Sequence, residues 1–412
     1  MDTEREYPDT KPLPMTARPA FQVTRYAPRR GLSIPAVTAL DDRNRVIEEE
    51  QGRIFRHIAQ LGAGADIIFA CGTTGEWNRI SNAERQRLIR IEADEVGRIN
   101  SLIGASPPQA MSDRSGPLAA ANSRSRLPDP VRPAHIEAWA GVTGDTAAET
   151  LANLTCAIES GVDAAVVAPL SISDAGDIVS FFQRQVSDLF DHLGTSLPVF
   201  LYDNADIAVN PQGSHLRTRD VKRLSRLQFI YGVKVSAPRR VLGNYTKGAM
   251  HFKDKGEFGI YIGNAMLMFD VFRLDDGPLG RIREYWNRYL LHNELPIGVV
   301  AGPANVLPRE WQRAWRACYA ADESLMRTYK AVFAQFDESC RFNCPGGSID
   351  KPIACIKRAL RIERIIESDR VAAGTPALSA EEAHAFERRY MDLKGKLAAG
   401  TDPVWISRSA DE

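Results

Sequence analysis

Short apolar runs alternate along the chain with longer segments in which apolar residues recur at helical spacing. One such segment has apolar residues separated by 7, 4 and 3 positions, which places them on one stripe of a helix: Ile47, Ile54, Ile58 and Leu61. The apolar runs have the length of strands, and there are eight of them: Leu32–Thr38, Asp66–Cys71, Ile136–Ala140, Ala164–Ala168, Val199–Tyr202, Phe229–Lys234, Phe258–Gly263 and Ile297–Ala301. This alternation is typical of βα units that build a parallel sheet.

Eight strands with intervening helices favour a closed barrel, although an open doubly wound sheet produces much of the same pattern. We predict an α/β fold in which residues 31–307 form a (β/α)8 TIM barrel and residues 308–400 form a C-terminal helical region. Helical periodicity in that region indicates three segments, at roughly 308–338, 348–365 and 379–397.

Three further segments do not follow the βα alternation. Residues 1–30 contain five prolines among charges, so they are predicted to be an extended or disordered arm. Residues 101–134 are rich in Pro, Ser and Arg and are predicted to be an insertion on the barrel face opposite the active site. Residues 270–296 are an enlargement with the pattern of an extra helix. We assign the insertion at 101–134 no chemistry.

Capping boxes predict where three helices begin. In each, a Ser or Thr stands three positions before a Glu, so that each side chain can accept a hydrogen bond from a backbone amide of the other. The pairs are Ser81 with Glu84, Thr146 with Glu149, and Ser379 with Glu382.

Composition narrows the classes of partner. Lys plus Arg and Asp plus Glu each total 52, so no net field attracts nucleic acid or an anionic membrane. The longest apolar runs, such as Ala164–Leu170, are far shorter than a membrane span. Six scattered cysteines and the lack of a secretory pattern at the start predict a reduced, cytoplasmic protein. We therefore expect neither nucleic acid nor a membrane as partner.

Lys234 is the most informative single residue, because it ends the apolar run Phe229–Val233. At the carboxyl end of a barrel strand, a lysine points into the active-site mouth, where burial can lower the pKa of its amine and make it nucleophilic. The structural alternative is a lysine that extends to the rim or joins a salt bridge.

Two further strand ends carry side chains that could bind a carboxylate or relay protons beside Lys234. Thr73 and Thr74 stand between glycines after the second apolar run, where hydroxyls and amides can bind a carboxylate. Tyr202 closes the fifth run, and its phenol can relay protons. An ordinary strand-to-helix turn and a packing tyrosine are the structural alternatives.

At these residues the sequence resembles the dihydrodipicolinate synthase and N-acetylneuraminate lyase family of class I aldolases. The resemblance runs from about Gly31 to Leu393 and rests on five motifs in the same order: Pro35-Ala36-Val37-Thr38, Gly72-Thr73-Thr74-Gly75-Glu76, Tyr202, Gly232-Val233-Lys234 and Gly263. It implies a TIM barrel with C-terminal helices that assembles as a homotetramer or a dimer.

The resemblance also implies a chemistry. Lys234 would form a Schiff base with pyruvate or another 2-keto acid, and no separate cofactor would be needed. Thr73, Thr74 and the amide of Gly75 would hold the substrate carboxylate. Tyr202 would transfer protons, and Gly263 would leave room for the ligand.

Three departures from the family pattern affect the rest of the site. Pro169-Leu170-Ser171 stands where the family usually has a tyrosine, no arginine follows Tyr202, and Val235 replaces a polar residue after the lysine. These departures argue against lysine biosynthesis and favour an aldolase, lyase or dehydratase for a 2-keto-3-deoxy sugar acid. Ser171 and Ser236 could contact such a substrate, although strand-end serines commonly bind water or backbone.

Two alternatives stay open. A condensing enzyme or a dehydratase would keep the same imine, and a barrel without catalysis would serve in ligand binding or assembly. The spacing of Cys340, Cys344 and Cys355 matches no common metal motif, so we predict no metal site. Ser348 is predicted to lie near the N-cap of the helix at 348–365.

Overall fold

The computed structural model describes residues 26–105, 135–210, 215–252, 258–273 and 295–398. Eight parallel strands close into a barrel in chain order, as the apolar runs predict. They are β1 (Gly31–Pro35), β2 (Ile67–Ala70), β3 (Glu137–Gly141), β4 (Ala164–Val167), β5 (Val199–Asn204), β6 (Ile230–Ser236), β7 (Gly259–Ile262) and β8 (Gly298–Val300). The prediction of a closed barrel is confirmed, and the open sheet is excluded because β1 pairs with β8.

Alternating strand residues divide the core into two parts. On β2, Ile67 and Phe69 point into the barrel, whereas Ile68 and Ala70 pack against the surrounding helices. Trp139 and Phe200 stack inside the barrel with their ring centroids 4.1 Å apart. The barrel interior is therefore filled by side chains, and a ligand can enter only where the strands end.

Helices follow the strands on the outside of the barrel. Their bounds are α1 (Glu48–Ala59), α2 (Asn82–Ala105), α3 (Ala147–Ser160), α4 (Ile178–Ser180), α5 (Ser187–Leu193), α6 (Thr218–Leu224), α7 (Arg239–Gly248) and α8 (Met268–Val271). A π-helical segment, Phe181–Val186, joins α4 to α5 without a break.

The three capping boxes differ in completeness. Ser379 and Glu382 each accept a hydrogen bond from the backbone amide of the other. Ser81 and Thr146 accept from the amides three residues ahead, but the glutamates of these pairs bind other amides, those of Val46 and Asp145. A tertiary contact replaces one half of the Ser81 box, and a bond to the residue just before the N-cap replaces one half of the Thr146 box.

The C-terminal region contains α9 (Pro308–Tyr319), α10 (Glu323–Ser339), α11 (Pro352–Ile362) and α12 (Ala380–Ala398). The predicted segment 308–338 is two helices, because Ala321 adopts a left-handed φ of 54° between them. A hairpin of β9 (Arg341–Cys344) and β10 (Gly347–Asp350) precedes α11.

The prediction of a helix from 348 was wrong. Ser348 lies in β10 rather than near a helix N-cap, because Gly346 and Gly347 have positive φ and turn the chain back into a hairpin. The helix begins instead at Pro352, whose fixed φ suits the first helical position.

The predicted interruptions lie largely outside the described residues. The insertion begins later than predicted, since α2 continues to Ala105, and residues 106–134 are not described. The predicted extra helix within 270–296 falls on residues 274–294, which are also not described. Of the predicted arm, only 26–30 are described, and they form no helix or strand. Tyr26 packs against the side chains of the barrel interior, and its hydroxyl donates to Glu137 at 2.7 Å.

Within the described ranges, no helix is both long and apolar enough to cross a membrane. The six cysteines are unpaired. The same ranges contain no group of three or more His, Cys, Asp or Glu side chains that could hold a metal ion.

Candidate active site

Lys234 lies near the carboxyl end of β6 and is 5% exposed. The register of the barrel places it beside Tyr202 of β5. Its Nζ lies 3.7 Å from the centroid of the Tyr202 ring and 5.1 Å from that of Phe69. No carboxylate of the described residues lies within ion-pair distance of this amine.

Burial lowers the pKa of Lys234 below its ordinary value, because the charged form loses solvation. The Tyr202 phenol acts in the opposite direction, through its charge and a hydrogen bond, but does not cancel the effect of burial. The amine is therefore more readily neutral than an exposed lysine, as a nucleophile requires.

Tyr202 is the centre of a hydrogen-bond network. Its hydroxyl lies 3.1 Å from Thr73 Oγ1, and it accepts from Asn204 Nδ2 at 3.0 Å and from Ser236 Oγ at 3.3 Å. Burial opposes ionisation of the phenol, but Lys234, Ser236 and Thr73 together outweigh it, so the pKa of Tyr202 is below its usual value. The phenol is placed to exchange a proton with the amine or with a ligand beside it.

Asn204 was not identified from the sequence. It stands two positions after Tyr202 on β5, so the two side chains point to the same face of the strand. The alternation of side chains along a strand, which repeats every two residues, was the signal that could have identified Asn204. A donor at this position supports the phenolate form of Tyr202.

The threonine loop, residues 71–76, follows β2 and is held in an unusual backbone conformation. Cys71 and Glu76 have φ angles of 53° and 58°, which is uncommon for residues other than glycine. The amide of Gly75 donates to the Gly72 carbonyl at 2.9 Å, so in this structure it is used within the loop. The predicted carboxylate site is thus left with the hydroxyls and amides of Thr73 and Thr74.

Gly75 has a structural role of its own. A Cβ at this position would lie 2.8 Å from the Ala36 carbonyl oxygen, and the Gly75 carbonyl accepts from Thr38 Oγ1 at 2.6 Å. Any larger residue would push the loop away from the end of β1. Gly75 therefore positions the threonines.

Glu76 fixes the far end of the threonine loop. Its carboxylate is 1% exposed and pairs with the fully buried Lys357 of α11. The second carboxylate oxygen accepts from the amide of Ala372 at 2.7 Å, and Lys357 also donates to the Arg370 carbonyl at 2.9 Å. The C-terminal region thereby holds the loop against the barrel.

Gly263, after β7, makes room for a protein side chain. A Cβ there would lie 2.2 Å from Ser236 Oγ, so the glycine allows Ser236 to reach Tyr202. Gly263 also lines the cavity at the barrel mouth. Both residues thus belong to the site.

Ser171 is not brought into this network. It lies in the turn after β4, is 7% exposed, and donates to the Ile207 carbonyl at 2.7 Å. This bond connects two loops above the barrel and occupies the hydroxyl. No contact with Lys234 or Tyr202 is found for it in the described part of the chain.

A cavity of about 340 Å³ opens beside the threonines at the barrel mouth. Thr73, Thr74 and Gly263 form one part of its lining. Residues of the C-terminal helices form another part, among them Trp311, Asp337 and Ile356. The cavity therefore lies between the barrel and the C-terminal region.

Comparisons with known proteins support the fold. No family model and no curated protein matches the chain. Among solved structures, dihydrodipicolinate synthase from Bacteroides thetaiotaomicron is 20% identical with a TM-score of 0.63, and the match covers 89% of this chain and 99% of that one. The synthase from Aquifex aeolicus is 15% identical with a TM-score of 0.61, over 89% and 98%.

A putative dihydrodipicolinate synthase family protein from Coccidioides immitis is 19% identical with a TM-score of 0.59, covering 92% of this chain and 99% of that one. Identities this low are informative about the fold. The chain therefore shares the barrel and the C-terminal helices of the dihydrodipicolinate synthase structures.

Proposed function

We propose that this protein is a class I lyase or aldolase that forms a Schiff base between Lys234 and a 2-keto acid. The observation that carries the proposal is the contact between Tyr202 and a buried lysine that has no carboxylate partner among the described residues. The Tyr202 hydroxyl in turn contacts Thr73. The three groups come from β6, β5 and the loop after β2, and they meet at the end of the barrel where such enzymes bind substrates.

In the proposed reaction, neutral Lys234 attacks the keto carbon, and uptake of a proton with loss of water gives a protonated imine. The imine accepts the electron pair of the C3–C4 bond as that bond breaks, so an aldehyde leaves and an enamine remains. The aldehyde forms as the C4 hydroxyl gives its proton to Tyr202 in its phenolate form. Protonation of the enamine at C3 and hydrolysis of the imine release pyruvate and restore the amine.

The carboxylate of the substrate would bind Thr73 and Thr74. Their amides have no hydrogen-bond partner among the described residues, and Thr73 Oγ1 already contacts the Tyr202 hydroxyl. Anion binding by consecutive amides and hydroxyls is a common use of loops of this kind.

Cleavage is favoured over condensation with a second acid by the loop after β4. That loop offers Leu170 and Ser171, and the Ser171 hydroxyl is bound to the Ile207 carbonyl. The loop therefore supplies neither a phenol nor a cation for a second acidic substrate. A dehydratase would use the same imine.

The assembly and location are part of the proposal. We expect copies of the chain to associate as a tetramer or a dimer, which light scattering tests as a multiple of the 45.6 kDa protomer. Six unpaired cysteines support a cytoplasmic location.

Borohydride reduction in the presence of pyruvate tests the proposal. The imine should be trapped as a stable adduct on Lys234, identified by peptide mass spectrometry, and Lys234→Met should abolish it. Lys357 is an internal control, since it is also buried but is ion-paired, and it should stay unmodified. An unlabelled Lys234 would instead support a barrel with a binding or assembly role.

A further inference from the structure

Asp337 stands on the wall of the same cavity as Thr73, Thr74 and Gly263. It belongs to the last turn of α10, a helix outside the barrel. A carboxylate near a helix C-terminus is opposed by the helix dipole, so helix stability gives no reason for an acid here.

The surroundings of Asp337 leave its carboxyl group available. The nearby Arg341 pairs with Asp350 and with Glu338, at 3.0 Å each. No hydrogen bond or ion pair to the Asp337 carboxylate is found in the ranges that the structure describes. Burial, reinforced by the charge of Asp350 and opposed by Arg341, raises the pKa of Asp337 to about 6.

The rest of the cavity is largely apolar. Met266, Val300, Pro303, Trp311, Ile353 and Ile356 contribute to its lining. Among the described lining residues, Asp337 is the one with an ionisable side chain. A ligand bound through its carboxylate to the threonines would therefore meet Asp337 as the strongest hydrogen-bond acceptor elsewhere in the cavity.

We infer that Asp337 is a specificity-determining residue that binds a hydroxyl group on the distal part of the substrate, beyond the 2-keto acid moiety. The C-terminal region then selects the substrate, while the barrel supplies the imine. The substrate class is a 2-keto acid longer than pyruvate, with hydroxyls along its chain. The inference rests on the proposed function, since the position of the distal part is defined relative to the carboxylate and imine sites.

The test compares two six-carbon ligands that differ in their hydroxyls, 2-keto-3-deoxygluconate and 2-ketohexanoate. For each, the concentration giving half-maximal borohydride trapping on Lys234 is measured, and intact adduct is counted together with pyruvate adduct left after cleavage. The wild-type protein should prefer the hydroxylated ligand. Asp337→Asn should reduce this preference about tenfold, because a hydrogen bond to a charged group is lost.

Glu338→Gln is the matched control. It removes the same charge one residue away, from a side chain that is 71% exposed, and it should leave the preference unchanged. Pyruvate has no distal hydroxyl, so its half-maximal trapping concentration is the reference against which both six-carbon ligands are normalised in Asp337→Asn. The melting temperature of Asp337→Asn tests whether this residue has a structural role. It should be at least as high as that of the wild type.

The outcomes separate the two proposals. If no keto acid is trapped on the wild-type protein, the proposed function fails. If trapping occurs but Asp337→Asn keeps the wild-type preference, or changes it no more than Glu338→Gln does, the role of Asp337 is refuted and the Schiff base stands.

Discussion

Two lysines in the described part of the chain are buried, and they differ in the groups that surround the amine. Lys357 is fully buried and faces the Glu76 carboxylate and the Arg370 carbonyl. Lys234 is 5% exposed and faces aromatic rings and the Tyr202 phenol. The same side chain thus serves once as half of an ion pair and once as an amine that contacts no carboxylate in the ranges the structure describes.

The group in contact with each buried lysine determines whether its amine stays charged or can become neutral. Burial lowers the pKa of both amines, and the largest opposing influence is the Glu76 carboxylate at Lys357 but the phenol at Lys234. A carboxylate in direct contact keeps its partner charged and fixed in place. A phenol shares its proton more evenly with the amine, so the neutral form is accessible.

The two lysines act on the threonine loop through different partners. The Lys357–Glu76 pair anchors the end of the threonine loop, where Glu76 has a left-handed φ. Lys234 reaches the same loop through Tyr202 and Thr73. Stability of the loop and reactivity beside it are therefore assigned to different amines.

The largest expected effect follows from breaking the ion pair. Lys357→Met leaves the Glu76 carboxylate buried and unpaired, and we expect the free energy of unfolding to fall by about 3–5 kcal/mol in urea denaturation. Glu76→Gln together with Lys357→Met should recover much of the loss, because no buried charge then remains.

Lys234→Met is the control for this comparison. It removes a buried amine that has no carboxylate partner among the described residues, so stability should stay the same or rise. The comparison would be wrong if Lys234→Met destabilised the fold as much as Lys357→Met does.

A smaller effect is expected from Tyr202→Phe. The variant keeps the ring beneath the amine but removes the proton relay, so turnover should fall about a hundredfold. The imine on Lys234 should still be trapped by borohydride. Steady-state rates and trapping measured on one preparation check this, and loss of trapping would assign the phenol a role in forming the imine itself.

The sequence was sufficient for those parts of the site that local pattern defines. Lys234, Tyr202 and the threonines each follow an apolar run, and the carboxyl ends of parallel strands meet at one face of a barrel. Asn204 was within reach of the same reasoning. The barrel followed from eight runs alternating with helical segments.

Contacts between segments that are far apart in the chain could not be predicted from the sequence. Glu76 and Lys357 are 281 positions apart, and nothing in either segment alone indicates the other. Asp337 looks like one more polar residue of an amphipathic helix until the packing of α10 places it on the cavity wall. The hairpin before α11 was missed because Ser348 was predicted to lie near a helix N-cap, whereas the positive φ angles of Gly346 and Gly347 turn the chain back into a second strand.

The smallest expected effect is a shift in pH dependence. Imine formation requires neutral Lys234, so trapping with pyruvate should rise with pH around a midpoint below that of an ordinary lysine. Tyr202 raises the pKa of this amine, and Tyr202→Phe should therefore move the midpoint to lower pH. The ratio of variant to wild-type trapping rates, measured in the same buffers, cancels the pH dependence of the reductant. A midpoint that moves upward would mean that the phenol favours the neutral amine, and the contrast between the two buried lysines would then need a different cause.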